Sequence, residues 1–220
     1  MAVSKIVSGN GYGSVTINST GCDRLVIVAV GGGLATFTDN KNASGWQALT
    51  AQNDIGATRT QMWYHESPTV GSGHTFTHAQ SYGALAVIGF TGWAASSAFD
   101  AENGNALAVG GLTINTGSVT PSENDCVLVA GIGTGGDPSG SAPSGFIVAE
   151  YLVGVGGTNY GVAIAFKIQT TAGAENPQFS HTPSAVCGAV IAAFKSDGIG
   201  GGGGLAMPPR RAFPMSILNH

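Results

Sequence analysis

The sequence predicts an all-β protein: a two-sheet, jelly-roll-like sandwich built from an internal duplication and followed by an extended C-terminal arm. Three observations carry this expectation. No window of a dozen residues keeps apolar side chains at i, i+3 and i+4 free of Gly, Pro or clustered β-branched residues. Short apolar runs of strand length follow one another with turn residues between them. The second half of the chain then repeats the first at an offset of about 103 residues.

The clearest run is LVIVAV at residues 25–30. It is short, rich in β-branched side chains and closed by Gly31, Gly32 and Gly33, as expected of a central strand buried on both faces. Residues 4–7 and 13–17 (GSVTI) open the chain, and 35–38 lead into the polar turn Asp39-Asn40-Lys41-Asn42. Residues 46–51 and 58–66 read as strands; in the second, Met62 and Tyr64 alternate with Trp63 and His65, which gives one buried face. Ser67-Pro68 stops it, and HTFTH at 74–78 and ALAVIGF at 84–90 complete the first half.

The second half keeps this order. GSVT at 117–120 repeats 13–16 to the letter, CVLVAG at 126–131 follows as LVIVAV did, and 146–153 and 161–169 read as strands. QFSH at 178–181 stands where HTFTH stood, and GAVIAAF at 188–194 echoes GALAVIGF at 83–90. Two such strand sets can be two small sandwiches or the interleaved halves of one. The short segment 98–105 between them lacks the Pro, Ser or charge enrichment of a linker, which favours one sandwich over residues 1–197.

Charged residues are only 9% of the chain, against about 25% in a typical soluble domain. Gly supplies 36 of 220 residues. A surface solvated by hydroxyls and amides suits secreted, cell-surface and virion β-proteins better than cytoplasmic enzymes. The net charge of -4 and isoelectric point near 5.6 give no general attraction to nucleic acid or an anionic membrane. No apolar segment reaches the ~18 residues of a membrane span, and MAVSKIVSGNG has no stretch of signal-peptide length, so synthesis in the cytosol is expected. Cys22, Cys126 and Cys187 are an odd set without CxxC spacing. They indicate neither a disulfide framework nor a zinc site and are expected to be small buried side chains, with a Cys22–Cys126 pair left open should the duplicated strands be neighbours.

After Asp197 the composition changes. Residues 198–204 form a Gly-rich linker, and 205–220 (LAMPPRRAFPMSILNH) contain Pro208, Pro209 and Pro214, which favour an extended path of up to ~50 Å at ~3.3 Å per residue. A free terminus is the plain reading. Disordered tails, however, are poor in large apolar residues. The segment is therefore expected to be a docking arm: Leu205, Met207, Pro208, Pro209, Phe213, Met215, Ile217 and Leu218 give apolar contacts, while Arg210 and Arg211 face carboxylates.

Sites of chemistry are hard to find in this sequence. His74 and His78 on one strand would lie about 13 Å apart, too far to share an ion, and read as polar-face histidines. Asp39, Asn40 and Asn42 read as an Asx-rich turn, because the spaced carboxylates and closing Glu of a calcium loop are missing. GNGYGS at 9–14 has no long buried strand before it and no helix after it, so the context of a dinucleotide loop is missing. Glu66, Asp100, Glu102, Glu123, Asp125, Glu150 and Glu175 are scattered, and no GxSxG elbow occurs. No enzymatic activity, metal or cofactor is expected. Asn18-Ser19-Thr20 and Asn42-Ala43-Ser44 match the glycosylation pattern but are expected to stay unused without export. Trp46, Trp63, Tyr64 and Trp93 suit a core; Trp46 and Trp93 are also the candidates for a glycan platform.

Two stretches carry a family likeness. One is TDNKNASGW at 38–46 with its Trp-Tyr strand and HTFTHAQ; the other is GSVTPSENDCVLVAG at 117–131 followed by YGVAIAFKIQTTAGAENPQFS at 160–180. They resemble β-sandwich, jelly-roll-like virion structural proteins of tailed bacteriophages, over roughly residues 13–196. The signature consists of strands and fold-determining glycines and brings no catalytic residues with it. It implies a structural protein of the virion: a capsid decoration or cement protein, head fibre or tail-tip component, present as a homo-oligomer or in many copies. Its partners would be the major capsid protein or other virion subunits, with the arm as fastening device and lysis as the route of release. The alternative is a tail-tip or fibre receptor-binding protein, or a carbohydrate-binding module, that meets a host surface glycan through Trp46 or Trp93. A sugar-active enzyme on a jelly roll is a weaker third reading. No nucleic acid or membrane partner is expected.

Overall fold

A computed structural model describes residues 3–53, 58–94, 96–138 and 143–197. Among them lie fourteen strands and no helix. The first half contains β1 (Ser4–Tyr12), β2 (Ser14–Ile17), β3 (Arg24–Gly31), β4 (Phe37–Asp39), β5 (Gln47–Ala48), β6 (Gln52–Asn53), β7 (Arg59–His65), β8 (His74–His78) and β9 (Ala84–Thr91). The second contains β10 (Phe99–Asn115), β11 (Cys126–Thr134), β12 (Ile147–Leu152), β13 (Gly161–Gln169) and β14 (Gln178–Phe194). The linker 198–204 and the docking arm 205–220, with its Arg pair and apolar anchors, lie outside the described residues.

Three antiparallel sheets result. The first has the order β1-β9-β3-β7-β5, with β6 also paired to β7; the second has the order β10-β14-β11-β13-β12; the third is the small sheet β2-β8-β4. The two large sheets use one permutation twice, so β1, β9, β3, β7 and β5 correspond in turn to β10, β14, β11, β13 and β12. Register extends the match to single residues. Val30 stands opposite Ala84 and Thr60. Gly133 stands opposite Gly188 and Val162 in the same way.

The halves are stacked, one large sheet each, rather than interleaved. β3 lies over β11, β9 over β13, β7 over β14 and β1 over β12, which defines an approximate two-fold axis along β3 and β11. Period-2 alternation then decides what each face buries. Val26, Val28 and Val30 of β3 meet Val127 and Val129 of β11 in the central interface, together with Ile88, Phe90, Ile164, Phe166 and Phe194. The other face of β3 (Leu25, Ile27, Ala29) is covered by Val15, Ile17 and Phe76 of the small sheet. The other face of β11 (Leu128, Ala130, Ile132) is covered by Ile114, Val119, Phe146 and Phe179. Both central strands are therefore buried along their whole length.

The outer layer is made differently in the two halves. In the second, β10 and β14 are continuous strands of 17 residues whose register shifts between Leu107 and Thr113, so their far ends cover their own sheet. In the first, Gly13 at a φ of 63° separates β1 from β2, and the turn before Gly83 separates β8 from β9. The third sheet is the product of these breaks. Of the segment 98–105, read as a connection, residues 99–105 belong to β10, where they pair with the end of β14. Cys22, Cys126 and Cys187 are buried thiols outside any disulfide, so the pairing left open for Cys22 and Cys126 is not made.

Candidate functional site

The polar turn after β4 organises the most elaborate side-chain network. Asp39 closes the turn on itself by accepting the N–H groups of Lys41 (2.7 Å) and Asn42 (3.1 Å) at Oδ1. His74, the first residue of β8, donates Nε2–H to the same oxygen at 2.8 Å. Oδ2 accepts Asn42 Nδ2 (2.8 Å) and Trp46 Nε1 (3.1 Å), so the carboxylate takes five hydrogen bonds. On its far side, His74 Nδ1 accepts from Ser19 Oγ at 2.7 Å.

Ser19, His74 and Asp39 thus have the connectivity of a hydroxyl–imidazole–carboxylate relay. Ser19 and His74 are 0% exposed, however, and the Ser19 oxygen also accepts the Gly71 N–H at 3.0 Å. A nucleophile needs a face open to substrate, and this hydroxyl has none. The protonation states agree with a brace. Burial alone would raise the Asp39 pKa, but hydrogen bonds from Asn42, Lys41 and His74 outweigh it and hold the carboxyl below its ordinary value. Burial, with Lys41 and His65 adding to it, pushes the His74 pKa below its ordinary value against the raising effect of Asp39, which favours the neutral imidazole. The network ties the loop after β2 to β4 and β8.

His74 and His78 do share a face of β8, but it is the buried one. Phe76 lies between them on that face, while Thr75 and Thr77 point outward. The polar-face reading is therefore corrected: the small sheet turns this side onto the first large sheet. The Asx reading of Asp39, Asn40 and Asn42 describes the turn as observed. Asn42 is buried, and its amide is taken up by Asp39 and by Thr69 O at 3.2 Å. Among the scattered carboxylates, Asp100 caps Ser122, Glu102 caps Thr50, Glu66 accepts the Ala98 N–H, and Glu175 pairs with Lys167.

The two candidate tryptophans part ways. Trp46 is half-buried, with its ring edge-on to Phe37 at 5.0 Å and to His65 at 5.3 Å, and it borders an open pocket of about 550 Å³ with Phe37, Asp39, Gly45 and Trp63. The Nε1 bond to Asp39 fixes its orientation. Trp93 is 1% exposed and stacks on Phe90 at 5.2 Å and Phe194 at 4.3 Å. It follows β9 directly into the seam between the halves, where both ring faces are covered, so its reading as a glycan platform is withdrawn.

Sequence reasoning missed a second concavity, formed by Thr58, Tyr82, Asn159 and Tyr160 at one end of that seam. Its residues come from turns of both halves, and only the repeat offset could have brought them together beforehand. Comparison with protein-family models, curated proteins and solved structures finds no match to this chain.

Proposed function

We propose that the chain is a non-catalytic structural protein of a bacteriophage virion, a capsid decoration or cement protein. Its sandwich is the displayed body, and its C-terminal arm, residues 205–220, is the fastening to the major capsid protein or other virion subunits. The observation that carries this reading is the use made of Ser19, His74 and Asp39: an array with catalytic connectivity is sealed and spent on holding strands together. Supporting it are the low charge, the layered apolar body, and the resemblance to tailed-phage sandwich proteins. The arm would bind through apolar anchors and main-chain hydrogen bonds, in many copies at once, which adds avidity.

Reconstitution onto particles lacking the protein tests this. Full-length chain is expected to bind, whereas a version ending at Asp197 keeps its melting temperature and does not bind. Equal binding of both would remove the arm from the mechanism. Binding of neither would remove the virion reading.

A second reading, a receptor-binding or carbohydrate-binding module, is favoured by the fixed Trp46 ring at the edge of its pocket. Screening against host-surface glycans with and without Trp46→Ala separates the two, because a cement role does not need this ring.

A further inference from the structure

The approximate two-fold axis leaves the sandwich where β3 and β11 end, and there the two halves enclose a cleft of about 350 Å³. Its walls are equivalent positions used twice. Tyr82, just before β9, corresponds to Val186 in β14; Thr58, just before β7, corresponds to Tyr160, just before β13. The copies have diverged. One wall carries two phenol rings with centroids 6.1 Å apart and planes at 35°, and the other carries a hydroxyl and an isopropyl group. The cleft shares no lining residue with the Trp46 pocket.

Three features give this cleft the character of a binding site. First, Tyr82 is 42% exposed yet held in place: Gln80 Nε2 donates to its hydroxyl at 2.8 Å, and the Gln80 amide is itself clamped to Gly32 N–H (2.9 Å) and Gly32 C=O (3.0 Å). An exposed ring fixed beforehand loses little freedom on binding. Second, Thr58 is 2% exposed, and its hydroxyl has no hydrogen-bond partner. A fold leaves such a group unpaired only at a cost, which a ligand that bonds it would recover. Third, among the described residues no carboxylate, ammonium, guanidinium or imidazole lines the cleft, a chemistry that suits an uncharged ligand.

From these features we infer that the cleft binds a neutral saccharide. The apolar C–H face of a sugar ring lies against Tyr82 and Tyr160, while its hydroxyls meet Thr58, Thr158 and the Asn159 amide. The volume lies near the lower end of the ~300–1,000 Å³ typical of small-molecule sites, which suits about one or two rings. The inference does not depend on attachment to a particle: a chain that binds no shell can still bind sugar here, and the reverse.

The test is calorimetric titration and saturation-transfer NMR of the full-length chain with cellotriose, maltotriose and tri-N-acetylchitotriose. At least one is expected to bind. Tyr82→Ala should weaken it by about tenfold, a loss on the scale of one aromatic contact. Thr58→Val should weaken it while melting stays equal or rises, because the unpaired hydroxyl is gone; Thr58→Ser should retain it. Trp46→Ala should leave it unchanged. Absence of transfer from all three trisaccharides at about 10 mM overturns the proposal. So does binding that survives Tyr82→Ala but is lost in Trp46→Ala, or uptake of a quaternary ammonium in place of sugar.

Discussion

Val28 and Gly131 occupy equivalent positions in the two halves and meet across the axis, so closely that a Cβ on Gly131 would lie 2.5 Å from Val28 Cγ2. The next inward position repeats the relation, since a Cβ on Gly133 would lie 2.6 Å from Val30 Cβ and 2.3 Å from Thr60 Oγ1. At these two positions the second copy has glycine where the first has valine. Valine on both sides would force apart sheets that normally pack about 10 Å from each other.

Gly131→Ala is accordingly expected to destabilise the fold by about 1–3 kcal/mol, the range for overpacking a filled core. Val28→Ala vacates the colliding methyl groups. The double variant should therefore cost less than the two single changes added together, because contacting residues couple. Urea denaturation of the four proteins checks this. Simple additivity would mean that Val28 and Gly131 do not determine the sheet approach.

Asp39→Ala should cost about 3 kcal/mol or more, since it leaves His74 Nε2–H, the Asn42 amide and the Trp46 indole N–H without their acceptor. Asp39→Asn keeps the shape and part of the bonding and should lose less. Trp46 fluorescence should shift in both, because the ring is oriented by that carboxylate. A normal melting temperature in Asp39→Ala would show that the network is dispensable.

Acid should weaken the protein in two stages. Burial lowers the pKa of His74, His78 and His181 below the ordinary value, against the raising effects of Asp39, Gln80 and Pro183 respectively. The unfolded chain therefore takes up protons near pH ~6.5 while the folded chain does not. Stability is complete above that pH and falls between it and the folded values, by up to about 1.4 kcal/mol per pH unit for each histidine. Asp39 adds a later loss: its share is present above pH ~3.9 and fades as pH falls through its lower folded value. Melting temperatures from neutral to acid pH read both stages, and His78→Gln should make the first shallower. A flat profile from pH ~7 to ~5 would contradict the buried neutral imidazoles.

The sequence carried the architecture further than the site. LVIVAV and CVLVAG read as strands buried on both faces because neither face alternates with polar residues, and the repeat anticipated one strand order used twice. His74 and His78 were misread as polar-face residues, although Phe76 shares their face and Thr75 and Thr77 take the other. Trp93 gave no such signal: its burial depends on the segments that follow β9 and β14 meeting at the end of the seam, where Trp93 bridges to Ser196 and stacks on Phe90 and Phe194. The Tyr82–Tyr160 pair was hidden for the same reason, because two turns on opposite halves become neighbours only once the sheets stack.

The thiols give a direct probe of that stacking. Cys22, Cys126 and Cys187 are all buried thiols outside any disulfide, and burial, with Asp23 nearby for Cys22 and Asp100 and Glu123 for Cys126, pushes the thiols of Cys22 and Cys126 up to about 11. Thiolate is the reactive form, so a chromogenic disulfide reagent at pH ~8 should label none of them within minutes in the native protein. All three should react once denaturant is added. Cys22 lies in the cluster between the small sheet and the first large sheet, whereas Cys187 lies in the second half. Rapid native labelling confined to Cys22 would therefore mean that the β2-β8-β4 layer opens independently of the central interface. Labelling of all three at one common slow rate would mean that the layers open only together.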